Sequence, residues 1–172
     1  MNFKYLLFFV VFLFSNKNFA QYTATDVRHY IKVEGAWLKN YLSTLSDKTT
    51  QLQMHDNGTN VNLIWGWDFD ERVNVGIGAG YIQLDTHRGL NLYGDVSFFV
   101  SNGIVNPFIG IRAGYDMIWP YNTDGQGSVL GEFMTGIKIR LSRCHAYTLY
   151  LQSGLLYTQN NLYFPVRVGF SI

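Results

Sequence analysis

From residue 30 onward, apolar and polar side chains alternate with a period of two, the spacing of a β-strand. Val61, Leu63, Trp65, Trp67 and Phe69 share one face; Asn62, Gly66 and Asp68 share the other, with Ile64 as an exception. Val73, Val75, Ile77, Ala79 and Tyr81 alternate with Asn74, Gly76, Gly78 and Gly80. Ile109, Ile111, Ala113, Tyr115 and Met117 alternate with Gly110, Arg112, Gly114 and Asp116. Tyr147, Leu149, Leu151, Leu155 and Tyr157 form another apolar face, interrupted by Ser153. Val166, Val168, Phe170 and Ile172 form the last, opposed by Arg167, Gly169 and Ser171. Three less regular strands are predicted at about 30–42, 90–100 and 129–141. They pair Ile31, Val33 and Trp37 against Lys32 and Glu34, Leu92, Val96 and Phe98 against Asn91, Asp95 and Ser97, and Phe133, Ile137 and Ile139 against Glu132, Lys138 and Arg140. The pattern predicts an all-β chain of about eight strands, the minimum for a closed up-and-down antiparallel transmembrane barrel. No helix of useful length is predicted after the first twenty residues.

The connections predict an orientation. Longer or more polar segments fall at 43–58, 85–89, 118–127 and 158–161. Tighter turns fall near Asp70-Glu71-Arg72, Ser101-Asn102-Gly103 and Ser142-Arg143-Cys144. With the N-terminus in the periplasm, the longer set faces outside, as in bacterial outer-membrane barrels.

The first twenty residues break the pattern. Lys4 precedes an apolar run from Tyr5 to Phe14, followed by Ser15-Asn16-Lys17-Asn18 and Phe19-Ala20. A run of about ten residues suits the core of a cleaved signal peptide and is too short to span a bilayer as a helix. Cleavage is placed after Ala20, and no cysteine follows to accept a lipid. The expected organisation is a signal peptide at 1–20, a short segment at 21–29 and a barrel at 30–172.

Composition sharpens the choice of environment. Charged residues make up 15% of the chain and aromatics 17%, against roughly 25% charged in a typical soluble domain. The 13 Lys+Arg nearly balance the 12 Asp+Glu, so no basic surface for nucleic acid is indicated. The mean hydropathy of +0.01 is too low for a bundle of membrane helices. A chain that alternates lipid-facing and lumen-facing residues has this profile.

Period two does not itself say which face is outside. The polar face is rich in glycine, serine and asparagine, which suits a narrow, packed interior better than a water-facing surface. Aromatics cluster toward strand ends, where bilayer interfaces favour them. Tyr41, Tyr115, Trp119, Tyr157 and Tyr163 are expected at the outer rim; Trp67, Phe69, Phe98, Phe108, Tyr147 and Phe170 are expected at the periplasmic rim. Glu34, Asp95, Arg112, Glu132 and Arg167 then all point into the lumen. Asp95 faces Arg112 on a neighbouring strand, and Glu34 faces Arg167 across the closure of first and last strands. Charges in a narrow lumen must pair to offset desolvation, so an ion-pair network that plugs the barrel is expected.

The C-terminal run from Tyr163 to Ile172, with Val168, Phe170 and Ile172 on one face, resembles the closing strand of small bacterial outer-membrane proteins. Gly76-Ile77-Gly78-Ala79-Gly80-Tyr81 and the stretch from Asn106 to Tyr115 are similar to strands of the same outer-membrane β-barrel family. The resemblance implies insertion into outer-membrane lipid, with Val168, Phe170 and Ile172 read by the barrel-assembly machinery. The usual last residue there is aromatic; here it is Ile172. Members differ widely in role, so the resemblance implies an architecture and not an activity.

Candidate chemistry is sparse. Gly76, Gly78 and Gly80 lie inside a strand with no helix following, which fails the context of a nucleotide loop. His29, His55, His87 and His145 show no metal-ligand spacing. His55-Asp56 has no identifiable serine partner, and Cys144 has no second cysteine. Asn57-Gly58-Thr59 reads first as a turn. No catalytic, cofactor or metal site is expected. The leading reading is a non-enzymatic outer-membrane barrel with a structural role, loop-mediated recognition or a place in an envelope complex. A lipid-modifying enzyme, a narrow channel and a secreted soluble barrel with an apolar ligand are its rivals. The last requires the large apolar side chains to point inward.

Overall fold

The computed structural model describes residues 27–43, 57–84, 87–101, 103–120, 125–141, 147–159 and 161–172. Eight strands run β1 (Val27–Ser43), β2 (Gly58–Phe69), β3 (Val73–Leu84), β4 (His87–Phe99), β5 (Val105–Pro120), β6 (Gln126–Arg140), β7 (Thr148–Thr158) and β8 (Asn161–Ser171). Each pairs antiparallel with its sequence neighbours, and β8 returns to β1, closing the barrel. Ile31 and Ile172 exchange backbone bonds of 2.9 and 3.0 Å at that seam. The strand β1 begins at Val27, so residues 27–29 belong to the barrel and not to a separate segment. The stretch expected to be a signal peptide lies outside the described residues.

The register fixes the geometry of the barrel. Starting at Tyr30, partners run Gly66, Gly76, Asp95, Arg112, Glu132, Leu156 and Tyr163, then return to β1 at Asn40. The row has climbed from residue 30 to residue 40, a stagger of ten. That stagger forces the strands to tilt. It also brings residues far apart in these rows to similar height, so contacts across the lumen do not follow direct strand partners.

The faces divide as the alternation predicts. Leu63, Ile77, Leu92, Ile111, Phe133 and Val168 all point outward, with Leu92 66% exposed. Glu34, Asp95, Arg112, Glu132 and Arg167 are buried, with Glu34 at 0%. An outer surface of this kind is unfavourable in water and suits a bilayer, where only a closed barrel or a helix satisfies its backbone. The soluble-barrel reading needs the opposite arrangement and is overturned.

Two expectations need correction. The connections do not alternate in length. Residues 85–86 join β3 to β4 and residues 159–160 join β7 to β8, whereas 100–104 and 141–147 join β4 to β5 and β6 to β7. Polar residues such as Arg88 suggested a loop, but the ladder continues through Gln83↔Arg88 and Thr158↔Asn161. A strand that runs past an apolar belt can carry polar side chains without losing its pairing. The tight turn after β2 does form: residues 70–72 join β2 to β3, with Asp70 and Glu71 both at positive φ and Arg72 N donating to Phe69 O at 3.1 Å, a backbone turn whose hand matches strand twist.

The second correction concerns the rims. Phe108 and Tyr163 are 1% and 0% exposed and point inward. Their parity explains it: Phe108 shares the face of Gly110 and Arg112, and Tyr163 that of Arg167. Tyr115, Tyr157, Phe69, Phe98, Tyr147 and Phe170 do face outward, and Tyr147 stacks on Phe170 with centroids 6.0 Å apart. Trp67 and Trp119 are half-buried. The side chain of Tyr41 lies outside the described residues.

Candidate functional site

The interior is organised around Arg112 on β5. Its Nε donates to Asp95 Oδ2 at 2.6 Å, and its Nη2 lies 2.9 and 2.8 Å from Glu34 Oε1 and Oε2. Its Nη1 approaches Glu132 Oε2 at 3.7 Å. Glu34 also meets Lys32 Nζ at 3.0 Å and accepts from Gln152 Nε2 at 2.8 Å. Arg167 donates to Glu132. The sequence placed Arg167 opposite Glu34, but in the register Arg167 aligns with Ala36 and Glu34 with Gly169. Gln152, the β7 partner of Arg167, reaches Glu34 instead.

Lys32, Arg112 and Arg167 thus face Glu34, Asp95 and Glu132. Three cations meet three anions, so the buried cluster is neutral. Taking each ion from water costs several kcal/mol. Only mutual pairing and added hydrogen bonds offset that, which is why the groups form one network.

Aromatic rings fill the remaining width. The guanidinium of Arg112 lies 5.1 Å from the Tyr93 centroid, and Lys32 Nζ lies 4.8 Å from that of Tyr150. Two of the glycines noted in the sequence gain a purpose here. A side chain at Gly78 would strike the Tyr93 ring, and one at Gly76 would strike the Tyr30 hydroxyl and Ile64. Their absence lets these rings lie against the wall.

Both ends of the lumen carry further layers. At the end holding the termini, a cavity of about 350 Å³ is lined by Arg28, Tyr30, Asp68, Lys138, Arg140 and Tyr150 among others. Lys138 pairs with Asp68 at 3.1 Å, and Glu71 takes Arg140 and, at 3.5 Å, Arg28. At the opposite end, Leu38, Ile82, Leu84, Ile118, Leu130, Leu156 and Tyr163 are buried in one apolar cluster with residues lower in the barrel. This cluster is the main feature the sequence reading missed. Apolar residues on the nominally polar face were visible, as at Ile64, and marked it.

The remaining sequence candidates are dispersed. His29 lies beside the outward-facing indoles of Trp65 and Trp67, with centroids 6.3 and 5.9 Å away. His87 opens β4. His55, Asp56, Cys144 and His145 lie outside the described residues. Val168, Phe170 and Ile172 form an exposed apolar row on the last strand. Among the described residues, no three His, Cys, Asp or Glu side chains gather as a metal site.

No family model matches the chain, and no curated protein matches its sequence. Solved structures do match its shape. Neisserial surface protein A superposes with a TM-score of 0.67 at 12% identity, over 85% of this chain and 97% of that one. The N-terminal β-barrel domain of Pseudomonas aeruginosa OprF gives 0.60 at 12%, over 86% of this chain and 100% of the other. The outer-membrane protein OprG from Pseudomonas aeruginosa gives 0.54 at 10%, over 84% and 95%. At these identities the likeness is one of fold. The chain has the fold of the small eight-stranded outer-membrane β-barrels.

Proposed function

We propose that this protein is a closed, non-enzymatic barrel of the bacterial outer membrane. It serves as a rigid support that presents its outer connections, 44–57 above all, for recognition or for assembly with envelope partners. An even strand number puts both termini at one end, which we take as periplasmic. The observation that carries the reading is the filled interior. The Arg112 network crosses the lumen at mid-height, and the apolar cluster stands toward the outer mouth. An eight-stranded barrel has room for little beyond its own side chains, so this arrangement argues against a water-filled path. The short, polar-paired inner end and the scattered histidines likewise favour support over catalysis.

The test uses purified protein folded into vesicles made from outer-membrane lipid extract. We expect no unitary conductance steps when such vesicles fuse to a planar bilayer, and an unchanged lipid mass spectrum after prolonged incubation. Reproducible conductance steps would replace this reading with a channel. A released acyl chain or a modified lipid would replace it with an enzyme.

A further inference from the structure

The outward wall carries a groove of about 670 Å³ across β1 to β5. The register explains its shape. One row of outward partners runs Val33, Leu63, Ala79, Leu92 and Tyr115 over these strands. Ala79 offers a single methyl between two leucines, so the wall dips there. The next row toward the outer mouth is Gly35, Val61, Tyr81, Leu90 and Met117, again small or apolar apart from the Tyr81 hydroxyl. Leu63, Leu90 and Leu92 are each more than half exposed.

Polarity changes at the third row, which runs Trp37, Thr59, Gln83, Arg88 and Trp119. Two tryptophans bracket three polar residues, a composition that suits the edge of a bilayer. Arg88 is exposed, follows Leu90 on the outward face of β4 and is the strand partner of Trp119. Lys39, beyond Trp37 on the same face of β1, is exposed as well. The two cations therefore flank the rim of the groove. Among the described residues no Asp or Glu is exposed on this wall: Glu34, Asp68, Asp95, Asp116 and Glu132 all lie on the inward face of their strands. The charge at the rim has one sign.

We propose that the groove binds a phosphate-bearing lipid, with an acyl chain over Ala79 and the phosphate on Arg88. Lys39 adds attraction from the far lip. Concave sites that are mostly apolar, with a few placed polar groups, are the usual form of a small-molecule site. A guanidinium suits the headgroup because it gives a phosphate two parallel hydrogen bonds. A second copy of this chain fits less well. A symmetric contact here would bring like-charged rims together, with no exposed carboxylate among the described residues of the wall to meet them. Placement in the outer leaflet rests on the orientation taken above; the site itself does not.

The experiment is native mass spectrometry of the folded protein released from detergent. It is titrated with dimyristoyl phosphatidic acid and, separately, with dimyristoyl glycerol, which has the same chains and no phosphate. We expect one saturable adduct with phosphatidic acid, binding about fivefold or more tighter than the glycerol lipid, and no competition from inorganic phosphate. Arg88→Gln should remove most of that preference and Lys39→Gln a smaller part. Ala79→Phe fills the dip and should weaken both lipids. Ala113→Phe, exposed on β5 outside the groove, should change neither. Boiling-dependent gel mobility reports whether each variant is folded; if Ala79→Phe is not, Arg88→Gln decides alone. No saturable adduct, competition by inorganic phosphate, equal binding of the two lipids, or an undiminished preference in folded Arg88→Gln overturns the site. Equal losses in Ala79→Phe and Ala113→Phe overturn it too, and a dimer that Ala79→Phe abolishes gives the groove to a second copy instead.

Discussion

Arg112→Met is expected to destabilise the folded barrel by about 3–5 kcal/mol, the usual cost of removing one partner from a buried ion pair. The guanidinium holds Glu34 and Asp95 directly and approaches Glu132. Methionine fills much of the volume but leaves Asp95, among the described residues, with only a long hydrogen bond from Ser97, at 3.4 Å. Glu34 retains Lys32 and Gln152, so the larger loss falls at Asp95. Denaturant unfolding in lipid vesicles, followed by tryptophan fluorescence and by gel mobility, measures the change. Adding Asp95→Asn to Arg112→Met should recover part of the loss, because it removes the stranded charge. A loss below about 1 kcal/mol for Arg112→Met would mean that water already reaches these carboxylates. The lumen would then be hydrated, and the plugged-barrel reading would fail with it.

The sequence and the structure agree most closely where a single periodicity governs the outcome. Parity along a strand assigns faces without knowledge of register, so Glu34, Asp95, Arg112, Glu132 and Arg167 could all be placed inside from the chain alone. Pairing is different. Asp95 and Arg112 are direct partners on adjacent strands, and that contact was legible. Arg112 with Glu34 joins β5 to β1 across the lumen, and its height depends on the ten-residue stagger. No local pattern reports the stagger, which emerges only when all eight pairings close. The same limit hid the choice of Glu132 by Arg167. The outer apolar cluster was missed for another reason. Leu38, Ile82 and Ile118 each sit near a strand end, where a few apolar residues on the polar face look like irregularity. They become a layer only when three strands are brought together. Length patterns misled for the β3–β4 and β7–β8 connections, since polar strand ends and loops have the same composition.

Ile111 and Arg112 are neighbours in sequence and opposites in environment, which makes them the sharpest test of the face assignment. Ile111 is 54% exposed on the outer wall, and Arg112 is 3% exposed within it. If the outer wall meets lipid, Ile111→Arg should cost about 2–4 kcal/mol, since the side chain stands at the height of the central network, near the bilayer midplane. Val105, also outward-facing but at the start of β5, the barrel end that holds the termini, should tolerate Val105→Arg with a loss of about 0–1 kcal/mol. The depth dependence is the discriminating feature. A water-facing wall would accept arginine at both positions with almost no penalty, and could even gain solubility. A packed protein interface would penalise both, according to shape and not to height. Unfolding of the two variants in phospholipid vesicles, compared with the same pair in detergent micelles, separates these cases. A large loss at Ile111 with a small one at Val105, steeper in vesicles than in micelles, is the response of a strand that crosses a bilayer. Equal losses at the two sites would remove the bilayer from the explanation of the apolar belt.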